Sequence, residues 1–214
     1  MRNRSVPEDE QYIRIVLIRH GATQGNIEKR YIGKTDEPLS SYGIAELKQN
    51  ISKGYYPPVR RLYVSPMKRC ISTAELIYPD ITQIQLEDLK ECDFGLFEGK
   101  NYIELSGNEQ YQRWIDSNAA LPFPEGEDIK DYKKRCVRGW QKLVQQCHNE
   151  AFDTAGNEEK VISAACVAHG GTIMSVISQM YGGDYYDYMC ANGGGYICSV
   201  AANGCISLVT PVGQ

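Results

Sequence analysis

Long apolar stretches are missing from this sequence. No segment approaches the roughly 18 to 20 consecutive apolar residues that a membrane-spanning helix needs, so we expect no membrane partner. The opening residues, MRNRSVPEDEQ (1–11), lack the apolar centre of a signal peptide and are expected to form a flexible arm. These absences favour a cytoplasmic protein.

An excess of positive charge is also missing. The chain has 23 lysine and arginine residues against 27 aspartate and glutamate residues, a net charge of -4, which argues against nucleic acid as a partner. Any anionic ligand must therefore meet a local basic pocket. The length of 214 residues is sufficient for one hydrophobic core, so a single domain over 1–214 is expected. The composition leaves both a monomer and a homodimer open.

Cysteine pairs with the spacing Cys-x-x-Cys are absent, although the chain has eight cysteines. In a cytoplasmic domain of this size, scattered cysteines are typically reduced and buried small side chains. The sequence also lacks an aspartate-rich cluster and a Walker-type glycine loop. These observations predict no metal site and no organic cofactor.

What the sequence does contain is an alternation of strand and helix patterns. Buried strands are predicted at 13–18, 61–65, 81–89 and 161–169. Helices are predicted at 40–52, 67–78, 127–151 and 172–182. A hairpin is predicted at 196–210, turning at Asn203-Gly204. This alternation predicts an α/β protein, a three-layer α/β/α sandwich with a mostly parallel sheet and an antiparallel edge strand.

Two local features refine this prediction. Ser65 and Pro66 precede the second helix, where they fit the N-cap and the first helical position. Residues 100–126 hold several aromatic residues, Trp114 among them, with weak periodicity. We weigh two interpretations of this segment equally, a lid or specificity insertion and a plain packing insertion.

The chain has only three histidines, and two of them share a context. His20 in LIRHG and His169 in VAHGG each follow a buried strand and precede a glycine. Parallel strands bring their carboxyl ends to one edge of a sheet, so the two imidazoles and Arg19 are expected to share a pocket. His148, near the end of the longest helix, is expected to be solvated and without a role.

Two imidazoles beside arginines favour phosphoryl transfer. A neutral imidazole is a good nucleophile near neutral pH, and guanidinium groups bind phosphoryl oxygens. Arg69, in the first turn of its predicted helix, supplies a second guanidinium. Glu91 in LKECDFGLFEG is the favoured proton donor, because a bound phosphate favours the acid form of a nearby carboxyl group. Its competitors are Glu87, Asp93 and Glu98.

Five blocks in order carry a family resemblance: LIRHGATQGN, YVSPMKRCISTA, LKECDFGLFEG, FPEGED and VAHGGTI. Together they resemble the histidine phosphatase superfamily, in its phosphoglycerate mutase-like branch, and above all the α-ribazole phosphatases and broad-specificity phosphatases. The resemblance covers about residues 13–200. It implies the α/β/α sandwich, a small phosphorylated metabolite as partner and no cofactor.

The resemblance also implies roles for individual residues. His20 would be the phosphorylated nucleophile, Glu91 the general acid and then the base, and a protonated His169 part of the phosphate pocket. The two arginines of that pocket would be Arg19 and Arg69. The implied substrate-binding residues are Thr23, Asn26, Gly170 and Asn192.

The sequence departs from the family pattern beside the phosphate pocket. Cys70 stands where threonine or alanine is frequent, and Met174 where arginine is common, which bears on specificity more than on catalysis. The prediction is metal-independent hydrolysis of a small phosphomonoester, with α-ribazole 5'-phosphate as the leading substrate. Two alternatives stay open, a phosphoglycerate mutase and an inactive binding domain of the same fold.

Overall fold

The computed structural model describes residues 12–117, 121–153 and 163–213. The predicted flexible arm at 1–11 lies outside them. The strands are β1 Ile13–Arg19, β2 Arg61–Val64, β3 Gln83–Gln85, β4 Ser163–Ala168, β5 Gly195–Val200 and β6 Ile206–Pro211. They form one sheet in the order β3-β2-β4-β1-β5-β6.

The sheet is parallel on one side and antiparallel on the other. Strands β3, β2, β4 and β1 run parallel, whereas β5 pairs antiparallel with β1 and β6 pairs antiparallel with β5. The predicted hairpin is the β5–β6 pair. This arrangement confirms the predicted fold class.

Helices cover both faces of the sheet. The α-helices are α1 Gln24–Ile27, α2 Ser41–Ser52, α3 Lys68–Ile77, α4 Glu109–Asp116, α5 Ile129–Asp153 and α6 Gly170–Met180. Short 3-10 helices cover Glu87–Leu89, Gly95–Phe97 and Tyr185–Tyr188. Within the described residues, no helix has the length and apolar character that crossing a membrane requires.

Alternate side chains of β1 divide the core into two parts. Ile15 and Leu17 pack in one cluster with Trp140 of α5, and Val16 and Ile18 pack in the other with residues of α2 and α3. This division follows from the two-residue period of a strand, which sends successive side chains to opposite faces. It explains why the first strand reads as a continuous apolar run.

The cysteines confirm one expectation and His148 contradicts another. All eight cysteines are free, and most of them are buried. His148 is wrongly predicted as solvated, because only 9% of it is exposed. Burial lowers its pKa, and a hydrogen bond with the backbone of Ala201 opposes that shift.

Two predicted boundaries are wrong. Helix α3 begins at Lys68 after Met67, so Ser65 is not its N-cap and Pro66 is not its first residue. The third strand is only Gln83–Gln85, because the chain then turns into the 3-10 helix Glu87–Leu89. The early end of β3 carries Glu91 toward α5 and α6.

The segment 100–126 contains α4 and packs into the core. Leu105, Trp114 and Phe123 belong to the larger buried cluster, and the Trp114 and Phe123 rings stack with centroids 5.0 Å apart. Its residues 118–120 lie outside the described part of the chain. Packing of this segment is therefore established, and a lid function stays a prediction.

Candidate active site

The two strand-end histidines lie side by side. Strands β1 and β4 are neighbours with Arg19 opposite Ala168, so His20 and His169 follow at the same edge of the sheet. Their ring centroids are 5.2 Å apart and their planes meet at 67°. Both side chains are buried, with 4% and 0% exposure.

His20 is held with one ring nitrogen free. Its Nδ1 lies 2.8 Å from the carbonyl oxygen of Gly21, and because a carbonyl only accepts, Nδ1 carries the hydrogen. Nε2 is then the atom with a lone pair. Burial, followed by the charges of Arg69 and Arg19, lowers the pKa of His20 well below its ordinary value. A neutral imidazole is the form suited to nucleophilic attack.

Threonine anchors the backbone beside His20. The Gly21 amide donates to the Thr73 hydroxyl oxygen at 2.9 Å, and the Thr73 hydroxyl donates to the Arg69 carbonyl at 2.6 Å. Helix α3 thereby fixes the turn that sets the His20 ring.

Without a bound substrate, the contacts of His169 favour its neutral form, and the protonated form expected with substrate bound stays a prediction. Arg69 Nε donates to its Nδ1 at 3.3 Å, so that nitrogen has no hydrogen. Its Nε2 lies 2.8 Å from Ser65 Oγ and donates to it. Burial, then the charges of Arg69, His20 and Arg19, lower the pKa of His169 well below its ordinary value. The bond to His169 also explains why Ser65 does not cap α3.

Arg69 is a buried cation surrounded by carbonyl groups. Its side chain is fully buried. Nη1 donates to the carbonyl of Thr35 at 2.8 Å, and Nη2 donates to that of Gly33 at 2.9 Å. Both terminal nitrogens of the guanidinium therefore bond the loop at 32–35. Arg69 thus acts on the histidines mainly through its positive charge.

Arg19 keeps an unused donor. Its Nη1 donates to the carbonyl of Cys190 at 2.7 Å, whereas its buried Nε has no hydrogen-bond partner in the described residues. A Cβ on Gly170 would lie 3.4 Å from this Nε, so the glycine leaves space beside it. No acidic side chain of the described residues forms an ion pair with either Arg19 or Arg69. Buried charge without a partner favours an anionic ligand.

The predicted substrate-binding residues of the first block form a brace around His20. Thr23 and Asn26 cap α1 reciprocally, with Asn26 Oδ1 accepting from the Thr23 amide at 3.1 Å. Asn192 Nδ2 donates to Asn26 Oδ1 at 3.1 Å and to the carbonyl of His20 at 3.0 Å. These contacts position His20, and direct contact of the three side chains with a substrate stays a prediction.

Glu91 faces the start of α6. Its Oε1 accepts hydrogen bonds from the Cys92 amide at 2.9 Å and from the Tyr132 hydroxyl at 2.5 Å. A Cβ on Gly171 would lie 2.9 Å from the same oxygen. Glu91 therefore lies against the helix that begins just after His169.

The three competitors of Glu91 are engaged elsewhere. Glu87 forms an exposed ion pair with Lys90, and Asp93 forms one with Lys34. Glu98 Oε1 accepts from the amides of Gly33 and Thr35, both at 2.8 Å. Glu98 thus supports the loop that holds Arg69.

An aromatic cavity of about 300 Å³ opens beside Glu91. Its aromatic lining residues are Tyr31, Phe94, Trp114, Phe123, Tyr132, Tyr185 and Tyr186. Met174 lines it as well, and Lys133 supplies a basic group, with Nζ 4.4 Å from the centroid of the Tyr185 ring. The cavity suits an apolar, planar group carried next to the Glu91 carboxylate.

Sequence reasoning missed Ser65, Thr73 and Tyr132 as site residues. The sequence predicts Ser65 as an N-cap, a role that it does not have in the structure, and it places Tyr132 on the apolar face of α5. No sequence signal places the Tyr132 hydroxyl against Glu91, because that contact depends on how α5 packs on α6. No group of three or more metal-binding side chains occurs in the part of the chain that the structure describes.

Comparison with known proteins agrees with this geometry. The model for the "Histidine phosphatase superfamily (branch 1)" matches residues 15–205. A 2,3-bisphosphoglycerate-dependent phosphoglycerate mutase of Gloeobacter violaceus is 30% identical over 78% of this chain and 74% of its own. The adenosylcobalamin/alpha-ribazole phosphatase of Salmonella typhimurium is 28% identical over 78% and 79%.

Solved structures show the same fold. The alpha-ribazole phosphatase of Shigella flexneri superposes with a TM-score of 0.76 at 20% identity, covering 94% of this chain and 96% of its own. The family match over most of the chain confirms the resemblance that the motifs indicate. The chain therefore belongs to the histidine phosphatase superfamily, branch 1.

Proposed function

We propose that this phosphatase hydrolyses a small phosphomonoester through a phosphohistidine formed on His20. One observation carries the proposal: two imidazole rings, 5.2 Å apart, lie beside two arginines without acidic partners in the described residues. A site kept only for packing has no need of such buried charge, which is costly without an anion. The arginines neutralise phosphoryl oxygens, so the chemistry requires no metal.

The first step transfers the phosphoryl group to the enzyme. Nε2 of His20 attacks phosphorus in line, and a bond forms between nitrogen and phosphorus while the ester P–O bond breaks. Glu91 gives its proton to the leaving oxygen. The bond from Nδ1 to the Gly21 carbonyl fixes the ring for attack and stabilises the positive charge that the ring acquires.

The second step releases phosphate. Glu91, now a carboxylate, removes a proton from water, whose oxygen attacks phosphorus as the N–P bond breaks. His20 returns to its neutral form and Glu91 to its acid form. Bound phosphate offsets the positive potential of Arg19 and Arg69, so His169 takes up a second proton from solvent when the substrate binds, and the imidazolium donates a hydrogen bond to a phosphoryl oxygen.

The aromatic cavity beside Glu91 supports a substrate with a planar, apolar leaving group. The leading candidate is α-ribazole 5'-phosphate, which carries an aromatic base, and a relative named for that substrate is 28% identical to this chain. Shape and apolar lining favour such a group, because small polar alcohols would leave the cavity partly filled. A panel of phosphorylated metabolites, ranked by kcat/KM, tests this choice.

A phosphoglycerate mutase is the second candidate, since a mutase is 30% identical to this chain. A mutase must shield its phosphohistidine from water and return the phosphoryl group to a second substrate oxygen. Conversion of 3-phosphoglycerate should be measured with and without a bisphosphoglycerate primer. Primer-dependent conversion that exceeds phosphate release would favour the mutase.

The nucleophile is tested with His20→Ala. We expect p-nitrophenyl phosphate hydrolysis to fall at least about a thousandfold. The thermal unfolding midpoint should be nearly unchanged, because the variant loses one side-chain hydrogen bond, that from the ring to the Gly21 carbonyl. The matched control is His148→Gln, which alters a buried histidine of α5 outside the site. Near-normal turnover by His20→Ala, or no phosphatase activity in the unaltered protein, would refute the proposal and leave the binding-domain alternative.

A further inference from the structure

We propose that Tyr132 is a positioning residue that holds one oxygen of Glu91 and reserves the other for proton transfer. The inference rests on the proposed function, since it concerns the acid and base of that reaction. It assigns a catalytic consequence to a tyrosine that the sequence places merely on the apolar face of α5.

The carboxylate of Glu91 is asymmetric. Oε1 accepts from the Tyr132 hydroxyl at 2.5 Å and from the Cys92 amide at 2.9 Å. Gly171 lies on the Oε1 side of the carboxylate, since a Cβ added there would lie 2.6 Å from the Tyr132 hydroxyl and 2.9 Å from Oε1. Oε1 is thus occupied by two donors, and Oε2 is the oxygen left for the leaving group and for water.

Tyr132 is built to remain a donor. Its side chain is 1% exposed, and burial, then the nearby Cys136 and Glu91, raise its pKa well above its ordinary value. The hydroxyl also lies 3.2 Å from Thr172 Oγ1, which donates to the carbonyl of Leu89 at 3.4 Å. The phenol therefore keeps its proton across the pH range of the assay and acts only as a hydrogen-bond donor.

The next turn of α5 holds the backbone of Glu91. Arg135 donates to the carbonyl of Glu91 at 3.3 Å and to that of Lys90 at 2.8 Å, and it is paired with Glu127 at 2.7 Å. Tyr132 and Arg135 are three residues apart and lie on one helix face. Titratable and charged groups from several elements surround Tyr132 and Glu91. They are Cys70, Cys92, Glu127, Arg135, Cys136 and Tyr185.

Tyr132→Phe should change the pH profile. The lost hydrogen bond favours the carboxylate form of Glu91, so its removal favours the acid form. The basic limb of kcat/KM, which requires a protonated general acid, should move up by about one pH unit, equivalent to a roughly tenfold preference. KM should change little, because the Tyr132 hydroxyl holds Glu91 rather than the phosphate.

Two companion proteins make the test specific. Tyr78→Phe removes a tyrosine hydroxyl outside the site, which donates to the Pro57 carbonyl at 3.1 Å, and it should leave the basic limb in place. Incorporation of 3-fluorotyrosine at position 132 keeps the side-chain shape and strengthens the donor, so the limb should move to lower pH. Opposite shifts in the two Tyr132 variants would exclude a merely structural role.

A readout independent of turnover separates this inference from the proposed function. The Glu91 carboxyl can be followed by carbon-13 NMR, with the signal assigned from Glu91→Gln, and its titration midpoint compared in the unaltered and Tyr132→Phe proteins. A higher midpoint in the variant supports the inference. An unchanged midpoint, or an unchanged basic limb in an active enzyme, overturns it, whereas an inactive unaltered protein refutes the proposed function alone.

Discussion

The phosphate end of the site and the aromatic cavity are built differently. At the phosphate end, hydrogen bonds to backbone carbonyls fix two of the groups, since His20 bonds the carbonyl of Gly21 and Arg69 bonds those of residues 33 and 35. In the cavity, side chains such as Trp114 and Phe123 are fixed mainly by stacking on one another. Backbone-determined geometry suits a chemical step that needs fixed positions, and ring packing suits contact with an apolar group of the substrate.

The two regions meet at the first turn of α6. Gly170 lies against Arg19 on the phosphate side, and Gly171 lies against Tyr132 and Glu91 on the cavity side. Two adjacent glycines thus border the two regions, and each offers a separate way to disturb one of them.

Gly171→Ala should have the largest effect on this boundary. The added Cβ would lie 2.6 Å from the Tyr132 hydroxyl and 2.9 Å from Glu91 Oε1, distances at which one of these groups must move. We expect kcat/KM for esters with poor leaving groups to fall about a hundredfold, because a small misplacement of a catalytic group carries that cost. Steady-state kinetics with a series of leaving groups measures it.

Gly170→Ala is the matched comparison. Its Cβ would contact Arg19 Nε at 3.4 Å, an ordinary van der Waals distance, so a much smaller loss is expected, expressed in KM and independent of the leaving group. If both alanine variants lose the same factor with every ester, the division between an acid side and a phosphate side is mistaken.

Trp114→Leu should alter substrate choice on the cavity side. Trp114 lines the cavity and is 8% exposed. Loss of its ring should reduce kcat/KM for 1-naphthyl phosphate relative to glycerol phosphate by about tenfold, the size of effect expected for apolar pocket contacts. Ile115→Ala, at a neighbouring residue with 43% exposure, is the control. Equal losses for both esters would favour the packing interpretation of 100–126.

The same contrast explains what the sequence could predict. His20, His169 and Arg19 follow buried parallel strands, and strand pairing alone brings such residues together. Their placement therefore follows from short local patterns. The hydrogen bond from Arg69 to His169 was not predictable, because it depends on Arg69 approaching from another element, at 3.3 Å.

The cavity and its support follow from packing between distant elements. Tyr132 reaches Glu91 across 41 positions of sequence, and no periodicity specifies such a contact. Ser65 fits an N-cap pattern, yet its hydroxyl bonds His169, 104 positions away. Local signals therefore predict which residues reach the sheet edge, whereas tertiary packing decides which hydrogen bonds they make.

The last predicted effect concerns stability, and it too separates the two regions. His20 and His169 have pKa values well below 6.5 in the folded chain, because of burial and the arginine charges. Below about pH 6.5 the unfolded chain binds protons at these histidines that the folded chain does not, so acid lowers the free energy of unfolding, by at most roughly 1 kcal/mol per pH unit for each histidine. Above that pH these two groups add no dependence.

Urea unfolding between about pH 5 and 7.5 measures this slope. His20→Asn and His169→Asn should each reduce the slope by about the contribution of one histidine, while Trp114→Leu should lower the free energy of unfolding equally at every pH. Sulfate, a dianion across this range, should flatten the slope of the unaltered protein by favouring protonated histidines at the phosphate end. A slope that neither histidine variant reduces would contradict the lowered pKa values that burial and the arginine charges give to the two imidazoles.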